Sequence, residues 1–291
     1  MKCLITGANG VVGKNLFEIL GKNSSFEVWG TGRSKLNLRN YFSIDLLDKS
    51  SVIAFFLEQK FDCVIHCAAT VSNEQPIEVL SNNYNSTLNV IEASLMTTVK
   101  KIFHTSGITV IGEILKIPIT EMHTVKPLTT YTYSKFQSEK IIEHFCKSKI
   151  DFVNIRIPSP AGKYMPLRSV LPIFLNRIQK GLDIELYGEI KRKMNFIDLR
   201  DLANFINKAS RKNGVSGVFN VGAIKSYSDL ELAKTIISIT GSRSKIIDNM
   251  TNEGGGIQDW NISCLKAKKV FNYEPEFSLH QTIEWILAKE K

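Results

Sequence analysis

The sequence lacks the features that mark membrane, secreted and metal-binding proteins. No apolar run approaches the 18 residues of a membrane-spanning helix, and Met1-Lys2 leads directly into a strand-like segment instead of a signal peptide. The five cysteines are an odd number without a CxxC pair, and the five histidines show no spacing such as HExxH. We therefore expect a cytoplasmic protein with reduced cysteines, no membrane association and no bound metal.

Acidic residues are the second shortage, since 28 Asp plus Glu stand against 37 Lys plus Arg and leave a net charge of +9. This excess favours an anionic partner, and a phosphorylated small molecule satisfies it as well as nucleic acid does. The basic clusters are short and scattered, without a zinc-finger or aromatic RNA-binding pattern beside them. We therefore expect a small-molecule substrate and no nucleic acid.

No repeat or low-complexity stretch is present, and 291 residues with 43% hydrophobic content suit one large or two modest globular domains. Strand-like apolar runs alternate with helix-like stretches. The strand-like runs are 2–6, 26–30, 42–44, 63–67, 102–104 and 152–155, and the helix-like stretches are 11–20, 49–59, 76–96 and 130–147. This alternation predicts an α/β fold of the Rossmann type, a doubly wound parallel sheet with its ligand at the carboxyl ends of the strands.

Glycines follow the first strand at a three-residue spacing, as Gly7, Gly10 and Gly13. One permits a tight turn, another lets the backbone approach a diphosphate, and another lets the helix pack on the sheet. The helix that follows directs its N-terminal N–H groups and dipole at that diphosphate. The pattern predicts a nucleotide site, although a glycine-rich turn before a helix also explains it.

Arg33 and Ser34 follow the second strand, where a fold that selects NAD usually places an acid for the ribose hydroxyls. A guanidinium and a hydroxyl complement a 2′-phosphate, so NADP is favoured and NAD remains possible. The alternative is a loop arginine that faces water. After the third strand, Asp45 is a candidate acceptor for the adenine amino group, and Asp48 a helix cap.

Tyr131 and Lys135 lie four residues apart in a predicted helix that begins after the capping candidates Thr129 and Thr130. This spacing puts them on one helix face. A nearby ammonium, with the positive nicotinamide, favours the phenolate and is expected to lower the pKa of Tyr131. The pair predicts a general acid/base, although such pairs are also common on helix surfaces.

In combination these motifs resemble the extended short-chain dehydrogenase/reductase family, in its nucleotide-sugar epimerase/dehydratase branch. The resemblance covers nearly the whole chain. It rests on Thr6-Gly7-x-x-Gly10-x-x-Gly13, Asp45-Leu46, Val64 to Ala69, Asn83 to Ala93, Tyr131-x-x-x-Lys135, Arg156 to Gly162, Asn195 to Asp201, Phe219 to Gly222, and Asp259 to Ser263 with Tyr273-Glu274-Pro275.

The resemblance implies that Tyr131 exchanges the proton at a sugar hydroxyl or ketone and that Lys135 holds the nicotinamide ribose. It also implies that Asn83 helps to position the cofactor. The expected cofactor contacts are Gly7, Asn9, Gly10, Val11, Val12, Gly13, Arg33, Ser34, Asp45, Leu46, Cys67, Ala68, Ala69, Thr70, Asn83, Thr105, Tyr131, Lys135, Ile157 and Pro158.

The chain also departs from the family pattern. Gly107 stands where the family supplies a catalytic hydroxyl, so Ser106 and Thr109 become candidate substitutes. The Asp-Glu pair of sugar dehydratases is replaced by Ile108-Thr109, so dehydration is not expected. Met194 replaces a substrate-binding arginine, and the expected substrate contacts are Ser159, Arg168 and Lys193.

We expect a dinucleotide-binding domain over 1–157, joined by a return of 195–222 to the sheet, and a smaller α/β substrate domain over 158–194 and 223–291. Helices are predicted there over 166–180, 228–239, 263–271 and 279–289. Gly254-Gly255-Gly256 predicts a flexible lid or a simple connection.

Three functions remain open. The first is hydride transfer at C4 of a nucleoside-diphosphate sugar, by an epimerase or a ketoreductase. The second is NADP-dependent reduction of a smaller carbonyl compound, and the third is a dinucleotide sensor without catalysis. We also expect a homodimer.

Overall fold

The computed structural model describes residues 1–72, 74–188, 191–250 and 258–288. The helices are α1 Val11–Gly21, α2 Lys49–Gln59, α3 Pro76–Leu95, α4 Thr130–Cys146, α5 Val170–Gln179, α6 Leu199–Ser210, α7 Asp229–Thr240, α8 Leu265–Phe271 and α9 Leu279–Leu287. The strands are β1 Lys2–Thr6, β2 Glu27–Gly32, β3 Tyr41–Ser43, β4 Cys63–His66, β5 Lys101–Gly107, β6 Asp151–Ile157, β7 Ser159–Ala161, β8 Ile184–Leu186, β9 Lys193–Asp198, β10 Gly217–Asn220, β11 Ser226–Ser228 and β12 Ile246–Asp248.

Seven parallel strands form the main sheet in the order β10-β6-β5-β4-β1-β2-β3. The chain leaves β1 in one direction through β2 and β3 and then returns to build outward from β4. Strand order therefore reverses between β1 and β4, which is where such sheets bind ligands. The predicted α/β fold with a doubly wound parallel sheet is confirmed.

Both faces of the sheet are covered, which explains its nearly continuous apolar strands. Residues of β1, β5 and β6 on one face pack with α1, α6 and α8 around Phe103 and Phe205. The next residues along the same strands pack with α2, α3 and α4 around Ile102 and Phe56. Successive residues of a strand thus face opposite sides of the sheet, so their position along the strand determines which side chains face α4.

Side-chain caps mark the start of α2 and α4. Asp48 accepts a hydrogen bond from the Ser51 backbone N–H at 3.1 Å, so the helix-cap interpretation of Asp48 is confirmed. Thr129 begins α4 through a capping box with Thr132. By contrast, α1 begins at Gly10 without a side-chain cap, which leaves its first backbone N–H groups available to a ligand.

A second, smaller core lies beside the main sheet. The strands β11, β9 and β7 form one small sheet and β12 pairs with β8 in another, with α5, α7 and α9 packed around them. Of the segment 195–222, β10 pairs with β6 in the main sheet, whereas residues 195–198 belong to β9 in the small one. The domain boundary near residue 157 stays a prediction.

One segment differs from the expected division. Residues 265–273 were assigned to the substrate domain, but α8 packs beside β10 and Tyr273 lies in the main core. The cause is aromatic packing, because the rings of Phe271 and Tyr273 both lie edge-on to Phe205. Helix α6, which carries Phe205, was not predicted, although its buried Leu199, Leu202, Phe205, Ile206 and Ala209 follow helical periodicity.

Gly254-Gly255-Gly256, expected to form a lid or connection, lies outside the described residues. Among the helices of the described residues, none combines the length and apolar character needed to cross a membrane. Residues 1–72, 74–188, 191–250 and 258–288 also hold no group of three or more His, Cys, Asp or Glu side chains that could bind a metal. The five cysteines are free thiols.

Candidate active site

Two adjoining clefts lie at the carboxyl ends of the main-sheet strands. The first follows β1, β2, β3 and β4, and the second follows β4, β5 and β6 and continues toward the smaller core. Cys67 and Ala69 line both clefts, so these two residues mark the boundary between them. The arrangement suits a long ligand with one half in each cleft.

Each glycine of the turn in the first cleft has a different structural role. Gly7 has φ +66°, and a Cβ there would lie 2.7 Å from the Ala68 Cα. A Cβ on Gly13 would lie 2.2 Å from the Gly7 carbonyl oxygen, so Gly13 permits α1 to pack on the turn. A Cβ on Gly10 would come only within 3.3 Å of protein, so its small size instead leaves the cleft open.

The side of the first cleft beyond β2 carries positive charge. The Arg33 side chain is exposed at the cleft, and no hydrogen bond or ion pair joins its guanidinium to the rest of the described chain. The Asn9 side-chain amide donates to Ser34 Oγ at 3.2 Å. Asp45 also lines the cleft, while its Oδ1 accepts from the Leu47 N–H at 3.0 Å.

Asn83 holds the loop after β4 in place. Its Oδ1 accepts from the Thr70 N–H at 2.6 Å, and its Nδ2 donates to the Thr70 carbonyl at 3.0 Å and to Ser134 Oγ at 2.8 Å. These bonds join the loop to α3 and α4. Asn83 is therefore suited to position the backbone of the cleft.

Tyr131 and Lys135 both line the second cleft, as their helical spacing predicted. Burial lowers the pKa of Lys135 to about 8, although Cys67 and Glu139 act to raise it. In the protein alone, burial raises the pKa of Tyr131, whereas the expected lowering also depends on the positive nicotinamide and stays a prediction for the dinucleotide complex. Burial has this effect because loss of water disfavours the phenolate, and Lys135 alone does not offset that effect.

The two candidates for the missing hydroxyl differ in their surroundings. Ser106 is buried, and its Oγ donates to Glu139 Oε1 at 2.5 Å. Thr109 lines the second cleft, and its Oγ1 has no hydrogen-bond partner among the described residues. A Cβ on Gly107 would lie 3.2 Å from Thr109 Oγ1. The geometry favours Thr109 over Ser106 as the substitute hydroxyl, because the Ser106 hydroxyl already donates its proton to Glu139.

Only one of the three expected substrate contacts lines the second cleft. Ser159 lines the second cleft, whereas Arg168 and Lys193 do not. Strand neighbours alternate, and Met194 faces the cleft, so Lys193 points away, into a separate depression beside Asp259. Arg192 and Trp260 line the second cleft instead, and neither was among the expected substrate contacts, although Trp260 stands in the Asp259 to Ser263 motif.

Most expected cofactor contacts line one cleft or the other. The exceptions are Val11 and Gly13, which pack against the turn and core, and Ser34, which contacts Asn9. The residues that line the clefts are Gly7, Asn9, Gly10, Val12, Arg33, Asp45, Leu46, Cys67, Ala68, Ala69, Thr70, Asn83, Thr105, Tyr131, Lys135, Ile157 and Pro158.

A layer of buried polar side chains lies beneath the clefts, between the sheet and α3 and α4. His66 contacts Thr6 Oγ1 through Nδ1 at 2.8 Å and Thr87 Oγ1 through Nε2 at 3.2 Å. Burial, and secondly the charge of Lys135, lowers the pKa of His66 to about 3. His104 stacks beside His66, and burial holds its pKa well below the usual range. Both imidazoles are therefore neutral at ordinary pH.

The same layer contains an ion pair. Arg156 donates through Nε to Glu139 Oε1 at 3.0 Å and through Nη2 to Glu139 Oε2 at 2.8 Å. Both side chains are almost completely buried. Glu139 was not among the expected site residues, although it stands four residues after Lys135, as Lys135 stands four residues after Tyr131.

The residues present fit a nicotinamide dinucleotide. The space beside Gly10 would be filled by a Cβ, the start of α1 offers uncapped N–H groups, and the cleft continues from there to Tyr131 and Lys135. A diphosphate fits such a helix start, because unpaired N–H groups and the helix dipole both favour an anion.

Comparison with known proteins relates the chain to an enzyme family. Residues 3–222 match the family model described as the NAD dependent epimerase/dehydratase family. A curated relative, the UDP-glucose 4-epimerase of Halalkalibacterium halodurans, is 26% identical over 100% of this chain and 96% of its own length.

Solved structures show the same fold. A UDP-glucose 4-epimerase of Thermotoga maritima, solved with UDP-glucose, has a TM-score of 0.87 at 23% identity, covering 98% of this chain and 97% of that one. A UDP-glucose 4-epimerase of Thermus thermophilus, solved in complex with NAD, has a TM-score of 0.82 at 22% identity, covering 98% of this chain and 99% of that one. The family match covers most of the sequence and confirms the resemblance: the chain belongs to the NAD dependent epimerase/dehydratase family.

Proposed function

We propose that this protein is a nucleotide-sugar 4-epimerase that acts by hydride transfer at C4 of the sugar. The observation that carries the proposal is the second cleft, where Tyr131, Lys135 and the unpaired Thr109 hydroxyl face the same space. That space adjoins the glycine turn through Cys67 and Ala69. A related curated epimerase that matches the whole chain supports the same reaction class.

When bound, a nicotinamide dinucleotide supplies the hydride acceptor and donor for C4. As C4 is oxidised, the Tyr131 phenolate takes the proton from the sugar O4, and the phenol so formed returns it when C4 is reduced on the other face. Thr109 donates a hydrogen bond that orients O4. The Lys135 ammonium holds the nicotinamide ribose and offsets part of the burial that disfavours the Tyr131 phenolate.

The proposed cofactor preference is NADP over NAD. The support is the exposed Arg33 guanidinium at the cleft, with the Ser34 hydroxyl beside Asn9. A guanidinium matches the 2′-phosphate by charge and geometry. Because the family is described as NAD dependent, NAD is the natural competitor in any binding test.

The same arginine favours one second candidate, an NADPH-dependent reductase of a 4-keto nucleotide sugar. Such an enzyme releases its cofactor after each turnover, whereas an epimerase uses it in both half-reactions. Dehydration is not proposed, because Ile108 and Thr109 provide no carboxylate to protonate a leaving hydroxyl. The homodimer and the cellular location stay predictions.

The decisive experiment incubates the purified protein with UDP-, GDP- and dTDP-linked hexoses and follows the sugar by proton NMR and the dinucleotide at 340 nm. Formation of a C4 epimer without net change in absorbance supports the epimerase. Stoichiometric loss of NADPH with a 4-keto sugar supports the reductase. Binding of a dinucleotide without turnover of any nucleotide sugar would contradict both and favour a sensor.

A further inference from the structure

The Glu139–Arg156 ion pair is an unusual element of the core beneath the second cleft. Glu139 is 2% exposed and Arg156 is 3% exposed. Burying two charges removes them from water, and apolar residues of similar volume often stabilise a fold as well or better. Stability alone therefore does not explain this pair.

The position of Glu139 relates it to the reacting groups. Tyr131, Lys135 and Glu139 follow one another at four-residue steps along α4 and so share its inward face. Their register with the sheet is fixed, because Ser106 on β5 lies opposite Arg156 on β6 and both contact Glu139.

These contacts join α4 to the ends of β5 and β6. Gly107, the last residue of β5, and the residues immediately beyond the two ends line the second cleft, namely Ile108 and Thr109 after β5 and Pro158 and Ser159 after β6. A carboxylate held by Arg156 and Ser106 therefore fixes the distance between Lys135 and the substrate-facing loops.

The charges around Lys135 make Glu139 its electrostatic partner. On β4 and β5, His66 and His104 are buried and neutral, and directly after β4 Cys67 remains a thiol because burial raises its pKa to about 12. On α4, Tyr131 remains a phenol since burial raises its pKa, and on β6 Arg156 is cationic. Among these described groups, Glu139 carries the negative charge.

We propose that Glu139 is a positioning residue of the active site, which, held by Arg156 and Ser106, stabilises the ammonium form of Lys135 and fixes it against the dinucleotide ribose. The inference deepens the proposed function and rests on it for the role of Lys135. Its test, however, uses dinucleotide binding and needs no sugar turnover.

The test measures the dissociation constant for NADPH and NADH by nucleotide fluorescence between pH 6 and 10. In the wild type we expect affinity to fall as Lys135 loses its proton, near pH 8. In Glu139→Gln we expect the affinity to fall at a pH that is lower by about one unit or more, because the negative charge close to the Lys135 amine is lost. Lys135→Arg, whose guanidinium does not titrate in this range, is expected to remove the fall.

Two further variants separate this role from a structural one. Glu139→Gln with Arg156→Met removes both buried charges, so it avoids an unpaired arginine and still lacks the carboxylate. We expect it to keep the shifted pH dependence. Glu143→Gln removes an exposed carboxylate of the same helix, paired with Lys140, and is expected to behave as wild type.

A folded double variant with the wild-type pH dependence would overturn the proposal, as would an equal shift in Glu143→Gln. If no nucleotide sugar is turned over by the wild type, the proposed function fails. The shift in dinucleotide affinity still decides the role of Glu139, so the two failures are distinguishable.

Discussion

Thr109 Oγ1 lies 3.2 Å from the position that a Cβ on Gly107 would occupy. The proposed substitute for the hydroxyl that the family places at residue 107 is therefore a side chain two residues later in the chain. Gly107 has φ −114°, a conformation that any residue adopts, so backbone strain does not require a glycine there. The hydroxyl can therefore be removed from residue 109 and introduced at residue 107, and each change can be tested.

Thr109→Val is expected to lower turnover about 10²-fold, because it deletes a hydrogen-bond donor positioned at the reacting oxygen. Steady-state kinetics with the identified sugar nucleotide measure this, and dinucleotide affinity should stay within a few fold. Adding Gly107→Ser to Thr109→Val should restore part of the lost rate. Unchanged turnover in Thr109→Val would assign the donor to another group.

Tyr131→Phe is expected to abolish turnover and leave dinucleotide affinity within a few fold, since it removes a proton donor and little binding surface. Tyr133→Phe is the matched control, because Tyr133 lies on the same helix and is 44% exposed. Appreciable activity in Tyr131→Phe would show that the proton moves through a different side chain.

Arg33→Ala is expected to weaken NADPH binding by about tenfold or more, since a charge-assisted contact to the 2′-phosphate is lost. NADH affinity should change little. Arg39→Ala removes another exposed arginine of the same loop region and serves as the control. Fluorescence titration measures both nucleotides, and equal wild-type affinities would rule out the proposed preference.

Stability is expected to fall as the pH drops below about 6.5, because His66 and His104 bind protons in the unfolded chain and not in the buried layer. The folded-state pKa of His66 is about 3, so its stabilisation is present above the unfolded pKa and is lost progressively down to pH 3. Each such histidine contributes about 1.4 kcal/mol per pH unit in that window.

Urea unfolding of the wild type and of His66→Gln at pH 7 and pH 5 measures this effect. The variant should be less stable at pH 7 and should lose less stability on acidification. His144→Gln, at an exposed position, should follow the wild type. A wild-type stability that rises between pH 7 and pH 5 would contradict the assignment of neutral buried histidines.

Local sequence was sufficient for most strands of the main sheet and for α1 to α4, but not for α6. The predicted range 49–59 coincides with α2, and the predicted start at residue 130 coincides with that of α4, because a cap and an apolar period both act within a few residues. The glycine spacing and the Tyr131–Lys135 pair could also be predicted, because each involves residues close together in the chain. Short strands of the smaller core, such as β7 and β8, carry too few residues for a period to appear.

The sequence by itself determined the fold class, the glycine turn and the pair Tyr131 and Lys135, since each depends on residues close together in the chain. Only the tertiary structure favoured Thr109 over Ser106 as the proposed substitute, because that preference depends on Glu139, which lies 33 residues after Ser106. Likewise, burial by several elements at once raises the pKa of Tyr131 in the protein alone, an effect that the four-residue spacing from Lys135 does not indicate. Desolvation depends on everything packed around a group, and that is a property of the folded chain.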